Sequence, residues 1–168
     1  AKHYRQLGTQ GLPKERTDSK VLVIIATHNH AAQIEALITR ARSLIHADIL
    51  VVDNHSTDAT RTLAEEAQAQ VITPLLPMTT WGRLQTGIQH AYESGYESVA
   101  TIDAEGCYEV EELPALVGHL SHADVSVAYF PADHSIMRRA AWQWFRWTTK
   151  LGMRDFVSGF RAYNRSAM

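Results

Sequence analysis

Two uninterrupted apolar runs, VLVIIA at 21–26 and DILVVD at 48–53, constrain this chain more than any other feature. A strand with one face in water alternates apolar and polar side chains. These two do not alternate, so they predict strands covered on both faces. Shorter runs follow: VIT at 71–73, SVATID at 98–103 and DVSVAYF at 124–130. Helical spacing fills the gaps. Ile34, Leu37, Ile38, Ala41 and Ile45 form one apolar stripe. STDATRTLAEEAQ opens with the capping residues Ser56, Thr57 and Asp58, then turns Leu63 and Ala67 to one face. Leu84, Ile88, Ala91 and Tyr92 form a third stripe, stopped by Gly95. EVEELPALVGHL carries acids in its first turn, Pro114 early, and Leu113, Leu116, Val117 and Leu120 inward.

Strand alternating with helix requires crossover connections, which are right-handed and build a mainly parallel sheet. The expected architecture is therefore α/β, with helices on both faces of that sheet. Ligands bind such sheets at the carboxyl ends of the strands. The residues there are Thr27-His28-Asn29-His30, Asp53-Asn54-His55 and Asp103-Ala104-Glu105. After Phe130 the pattern changes: 131–156 holds three of the four tryptophans beside Arg138, Arg139, Arg146 and Lys150. VSGFRAYNRSAM at 157–168 is read as containing no further strand.

Composition narrows the classes of function. The 168 residues fit one domain, and 45% hydrophobic with 20% charged residues is ordinary for a soluble globular protein. A net charge of −2 supplies no field that would favour nucleic acid. One cysteine, Cys107, excludes an internal disulfide and is read as an inert small residue. The longest apolar run is strand-sized rather than membrane-spanning. Residues 1–20 are polar and read as a leader without a signal peptide, so a cytoplasmic protein is expected, with peripheral membrane contact left open.

Asp103 and Glu105 leave a strand at positions i and i+2, and a bend at Gly106 would let both face one ligand. Paired carboxylates suit a hard divalent cation such as Mg2+ or Mn2+; the plainer reading is a turn cap and a solvated acid. His28 and His30 admit a metal pair, but polar filler at a strand end is the commoner use. Trp144, Trp147 and Leu151 share a helix face, with Trp142 and Phe145 at its side. That helix covers a core, meets lipid headgroups or, least in keeping with the charge, stacks on nucleic acid.

Together VIIATHNH, VVDNHSTDAT, TGIQHAYESGYESVATIDAEG and SGFRAYNRSAM resemble the family-2 glycosyltransferases of GT-A fold, especially the polyprenyl-phosphate (dolichyl-phosphate mannosyltransferase-like) sugar transferases. The likeness covers residues 21 to 168, with motifs in the same order and spacing. It implies a GT-A domain over 21–168, whose nucleotide-binding part is 21–106 and whose acceptor-side part is 107–168. It implies a nucleoside pocket lined by Ala26, Thr27, His28, His30 and Asn54, with Asp53 reading the base. Asp103 would meet the ribose and, with Glu105, the divalent metal. Arg138, Arg139, Ser158, Gly159 and Arg161 would border the acceptor, and Asp155 would take a proton from a hydroxyl acceptor. The implied reaction is metal-assisted, inverting transfer of a sugar from a UDP- or GDP-linked donor to a lipid phosphate or a glycan.

This chain departs from the family pattern in places. His30 replaces an acid, Thr79-Thr80-Trp81 replaces a Gly-Lys-Gly, Glu105 replaces an aspartate and Cys107 a polar residue. These changes motivate an alternative, a nucleotide-sugar-binding domain without turnover, which would bind but release no product. A sugar nucleotidyltransferase is the other alternative; it would release diphosphate instead of nucleoside diphosphate, and its Gly-rich, lysine-bearing N-terminal loop is missing here.

Overall fold

The computed structural model describes residues 20–104, 110–128 and 159–168. Strands β1 (Val21–Thr27), β2 (Asp48–Asp53), β3 (Gln70–Ile72), β4 (Ser98–Asp103), β5 (Val125–Val127) and β6 (Arg161–Asn164) form one sheet in the order β3-β2-β1-β4-β6-β5. The first four run parallel, while β6 pairs antiparallel with β4 and with β5. The expected three-layer, mainly parallel α/β fold is thus the one observed.

Continuous apolarity has the cause inferred from it. Leu22 to Ala26 and Ile49 to Val52 are all buried, because helices cover both sides. Helices α1 (Ala31–Leu44), α2 (Thr60–Glu66) and α4 (Leu113–Gly118) pack one face through Ile34, Ile38, Ala41, Ala64, Leu113 and Leu116. Helix α3 (Thr80–Glu93) packs the other through Leu84 and Ala91, on Leu22, Ile24, Ala26, Leu50 and Val52. Gly87 makes that contact close: a Cβ built there would lie 2.5 Å from Ile24 Cγ2.

Several expectations need correction. A strand does follow residue 160, since RAYN at 161–164 pairs along β4 from Thr101 back to Ser98. Its alternation is short and its signal lies in the partner strand, not in its own sequence. The run at 124–130 supplies a strand only over Val125–Val127, and its last two residues fall outside the described residues. Tyr92 is exposed rather than inward, and the guanidinium of Arg165 lies 4.8 Å from its ring centroid. In α2 the buried small residue is Ala64, with Leu63 only partly covered. Ser56, Thr57 and Asp58 do not cap α2 in the expected way, because the helix begins at Thr60 with Ala59 as its N-cap. The leader 1–19 and the tryptophan-rich stretch with Arg138, Arg139 and Arg146 lie outside the described residues.

Candidate functional site

β1 leads through α1 to β2 on one side, and the chain later places β4 on the other side. The strand order therefore reverses at β1, where open α/β sheets form their ligand crevice. The register fixes which residues border it. Thr27 is paired with Asp53 and Ala26 with Asp103, so the two carboxylates leave the strands flanking β1. Two strand spacings separate their backbones, about 10 Å. Side-chain alternation places Asp103 on the face covered by α3, with Val99 and Thr101, and Asp53 on the opposite face, with Ile49 and Val51.

The loops after β1 and β2 are laced together. Asn54 N–H donates to Thr27 O at 3.0 Å, and His28 Nδ1–H donates to Asn54 O at 2.9 Å. Asn29 N–H donates to Ser56 Oγ at 2.9 Å, and Thr57 N–H to Asn29 Oδ1 at 2.8 Å. Asn29 and His55 take the left-handed conformation, φ 57° and 59°, which a non-glycine residue adopts at some cost and which gathers at ligand-binding turns. The cross-links hold it there.

Asp53 is buried and accepts from Ser56 twice, through N–H at 3.2 Å and through a short hydroxyl bond. A carboxylate offers about four lone-pair sites. Two are used locally, leaving acceptor capacity for a ligand. Asp58 binds both neighbouring helix starts: it accepts from Ala31 N–H at 3.1 Å, Thr60 N–H at 3.0 Å and the Thr60 hydroxyl at 2.5 Å. The Thr60 hydroxyl in turn accepts from His30 N–H at 2.8 Å. Chiefly the Thr60 hydroxyl bond, with help from these amides, holds the Asp58 carboxyl below its ordinary range.

The two histidines serve the loops. His28 uses Nδ1 on Asn54 O and meets the Asn29 side-chain amide through Nε2 at 3.3 Å. His30 Nδ1 accepts from His28 N–H at 3.4 Å, with the Thr27 hydroxyl at the same distance. Among the described residues no group of three or more His, Cys, Asp and Glu side chains converges for a metal. The Asn54 side chain also works structurally, its Oδ1 accepting from Met78 N–H at 2.8 Å and tying the lead-in of α3 to the end of β2.

One site-edge residue, Arg83, was missed in the sequence, and Trp81 was noted there only as part of Thr79-Thr80-Trp81, without its partner. Arg83, in the first turn of α3, is buried at 3% exposure and donates from Nη2 to Thr80 Oγ1 at 2.6 Å. Trp81 meets Arg161, whose Cζ lies 4.7 Å from the indole centroid. Helix periodicity alone marks Arg83 as a polar interruption, and nothing local links position 81 to 161. Gly159 is held through its carbonyl, which accepts from the Thr101 hydroxyl at 2.9 Å. Asp103, Ala26, Thr27, Asp53 and Asn54 are thus brought to one edge of the sheet. Glu105, Asp155, Arg138, Arg139 and Ser158 lie outside the described residues.

Comparison with known proteins bears on this edge. The family model for glycosyl transferase family 2 matches residues 22–167, nearly the whole chain. The chain belongs to glycosyl transferase family 2. Among curated relatives of this family-2 domain, an undecaprenyl-phosphate mannosyltransferase of Micrococcus luteus is 26% identical over 89% of this chain and 68% of its own length. A polyprenol monophosphomannose synthase of Mycolicibacterium smegmatis is 25% identical over 91% of this chain and 64% of its own length. A solved glucosyl-3-phosphoglycerate synthase of Mycobacterium tuberculosis, in complex with Mn2+, uridine diphosphate and glucosyl-3-phosphoglycerate, shares the fold. Its TM-score is 0.65, at 20% identity over 89% of this chain and 58% of that one. The family-2 domain described here thus spans roughly three-fifths to two-thirds of the length of these proteins. Among its described residues no helix is long and apolar enough to cross a membrane.

Proposed function

We propose that this chain carries the donor-binding part of an enzyme that transfers a sugar from a nucleoside diphosphate to a polyprenyl phosphate. The observation that carries the reading is the placement of Asp53 and Asp103 on the two strands flanking β1, where the strand order reverses, in a family-2 chain. The polyprenyl-phosphate acceptor is drawn from the names of the two curated relatives. The donor is UDP- or GDP-linked. Asp53 accepts hydrogen bonds from the base, with Ala26, Thr27, His28, His30 and Asn54 lining the nucleoside.

Asp103, and Glu105 two residues later, supply the hard oxygen donors that Mg2+ or Mn2+ prefers, with diphosphate and water completing the set. A bound cation of this kind neutralises charge on the departing diphosphate. The chain's own residues hold the donor so that an acceptor oxygen attacks the anomeric carbon opposite the departing diphosphate. A new C–O bond forms as the bond to the nucleoside diphosphate breaks, with inversion. A lipid phosphate arrives already anionic and needs no base; a glycan hydroxyl would require one, and Asp155 fills that role. Arg138, Arg139, Ser158, Gly159 and Arg161 border the acceptor. Acting on such a lipid calls for peripheral contact with the cytoplasmic face of a membrane.

The test is a screen of labelled UDP- and GDP-sugars with Mn2+ or Mg2+ and a polyprenyl phosphate, following label into the organic phase. Metal-dependent transfer with release of nucleoside diphosphate is expected. Tight donor binding with no transfer would make the chain a binding domain. Release of inorganic diphosphate would make it a nucleotidyltransferase.

A further inference from the structure

Trp81 and Arg161 come from distant parts of the chain and meet at the carboxyl edge of the sheet. Trp81 is the second residue of α3, whose start is fixed by Thr79: its hydroxyl accepts from Gly82 N–H at 3.3 Å. The indole remains 45% exposed. Arg161 opens β6 opposite Thr101, two residues before Asp103. The Thr101 hydroxyl donates to Gly159 O at 2.9 Å and lies 3.4 Å from Arg161 O, so the backbone beneath Arg161 is pinned to β4. From this base the guanidinium reaches the indole, 4.7 Å from its centroid.

Electrostatics make the arrangement informative. α3 is a 14-residue helix, and its amino end carries the positive pole of the helix dipole. A cation beside that pole is repelled by it. The indole face offsets part of the repulsion, since its quadrupole attracts a guanidinium. A guanidinium stacked on a ring keeps its in-plane N–H donors directed outward, the geometry that engages phosphate oxygens. A side chain already laid against a ring also has less freedom left to lose on binding.

We propose that Trp81 is a positioning residue that holds Arg161 ready to bind a phosphate group at the carboxyl edge of β4. This rests on the transferase reading and deepens it. The phosphate belongs either to the donor diphosphate or to the acceptor lipid, and both present the same oxygens.

The experiment titrates UDP with Mn2+, and separately farnesyl phosphate as a soluble prenyl phosphate, by calorimetry. The proteins are wild type, Trp81→Leu, Trp81→Phe, Arg161→Gln and the Trp81→Leu/Arg161→Gln pair, each checked for an unchanged thermal midpoint. Trp81→Leu is expected to weaken one ligand by about three- to tenfold, and Trp81→Phe by less, because a phenyl face restores part of the attraction. On the Arg161→Gln background the Trp81→Leu change should add nothing. Loss confined to UDP assigns the diphosphate; loss confined to farnesyl phosphate assigns the acceptor. Unchanged affinity for both ligands in Trp81→Leu, with normal binding by wild type, overturns the role of Trp81 alone. Equal weakening by Trp81→Leu with and without Arg161 also overturns it. Wild-type protein that binds neither ligand overturns the transferase reading and this one together.

Discussion

Replacing Asp53 separates its work in the fold from its work on a ligand. The carboxylate is 2% exposed and takes both the N–H and the hydroxyl of Ser56. Asp53→Ala deletes two hydrogen bonds to a charged acceptor and leaves the Ser56 N–H without that partner. At roughly 1.5 kcal/mol per bond the cost is about 3 kcal/mol. For a chain of this size that lowers the thermal midpoint by about 6–12 °C. Asp53→Asn is gentler. Its carbonyl can still accept from Ser56 N–H, and its amide can donate to the Ser56 hydroxyl, which already accepts from Asn29 N–H and has a second lone pair. What is lost is charge assistance, about 1 kcal/mol or 2–4 °C. Binding moves differently if Asp53 also reads the base. The asparagine amide would then face a base N–H donor to donor, and UDP or GDP affinity should fall by about tenfold or more while the fold is nearly intact. Thermal melts and calorimetry on both variants decide. An Asp53→Ala midpoint within 2 °C of wild type would refute the hydrogen-bond reasoning, and normal nucleotide binding by a well-folded Asp53→Asn would refute base reading.

Gly87→Ala should destabilise by about 1–2 kcal/mol despite alanine's better helix propensity, because the new methyl lies 2.5 Å from Ile24 Cγ2 in a filled core. Urea denaturation measures it, and pairing with Ile24→Ala should cost less than the sum of the two changes. Asp103→Asn, or EDTA, should weaken UDP binding by about tenfold or more if Asp103 is a metal ligand, since charge count sets affinity for hard cations. Equal affinity with and without EDTA would remove the metal. Asp58 has a folded-state pKa below the ordinary 3.8, so its contribution is present above that value and is lost as pH falls through the lower, folded one. Asp58→Asn should therefore flatten the acid limb of a stability–pH curve below about pH 4 and leave the slope near neutrality unchanged.

Sequence alone determined the layers. Unbroken apolar strands such as 21–26 can be stable only under helices on both faces, and the stripes at Ile34, Ile38 and Ala41 or Leu84 and Ala91 supply those helices. It also determined that Asp53 and Asp103 stand at strand ends, because polarity returns where the apolar run stops. Strand β6 was not legible: four residues, RAYN, become a strand because β4 offers an open edge, and that edge is a property of the sheet. Nor was the use of the polar loops. Ser56 and Asp58 look like local caps, yet they bond Asn29 and Ala31 across 27 residues, since the β1 and β2 ends lie side by side. Trp81 and Arg161 are the sharpest case. The sequence marks Trp81 only as part of a departure from the family pattern and Arg161 only as part of SGFRAY; the antiparallel return of the chain along β4 is what brings that cation onto that ring. Local patterns report burial, which each residue feels through its own periodicity. Pairings between distant residues depend on strand order and register, which no single segment encodes.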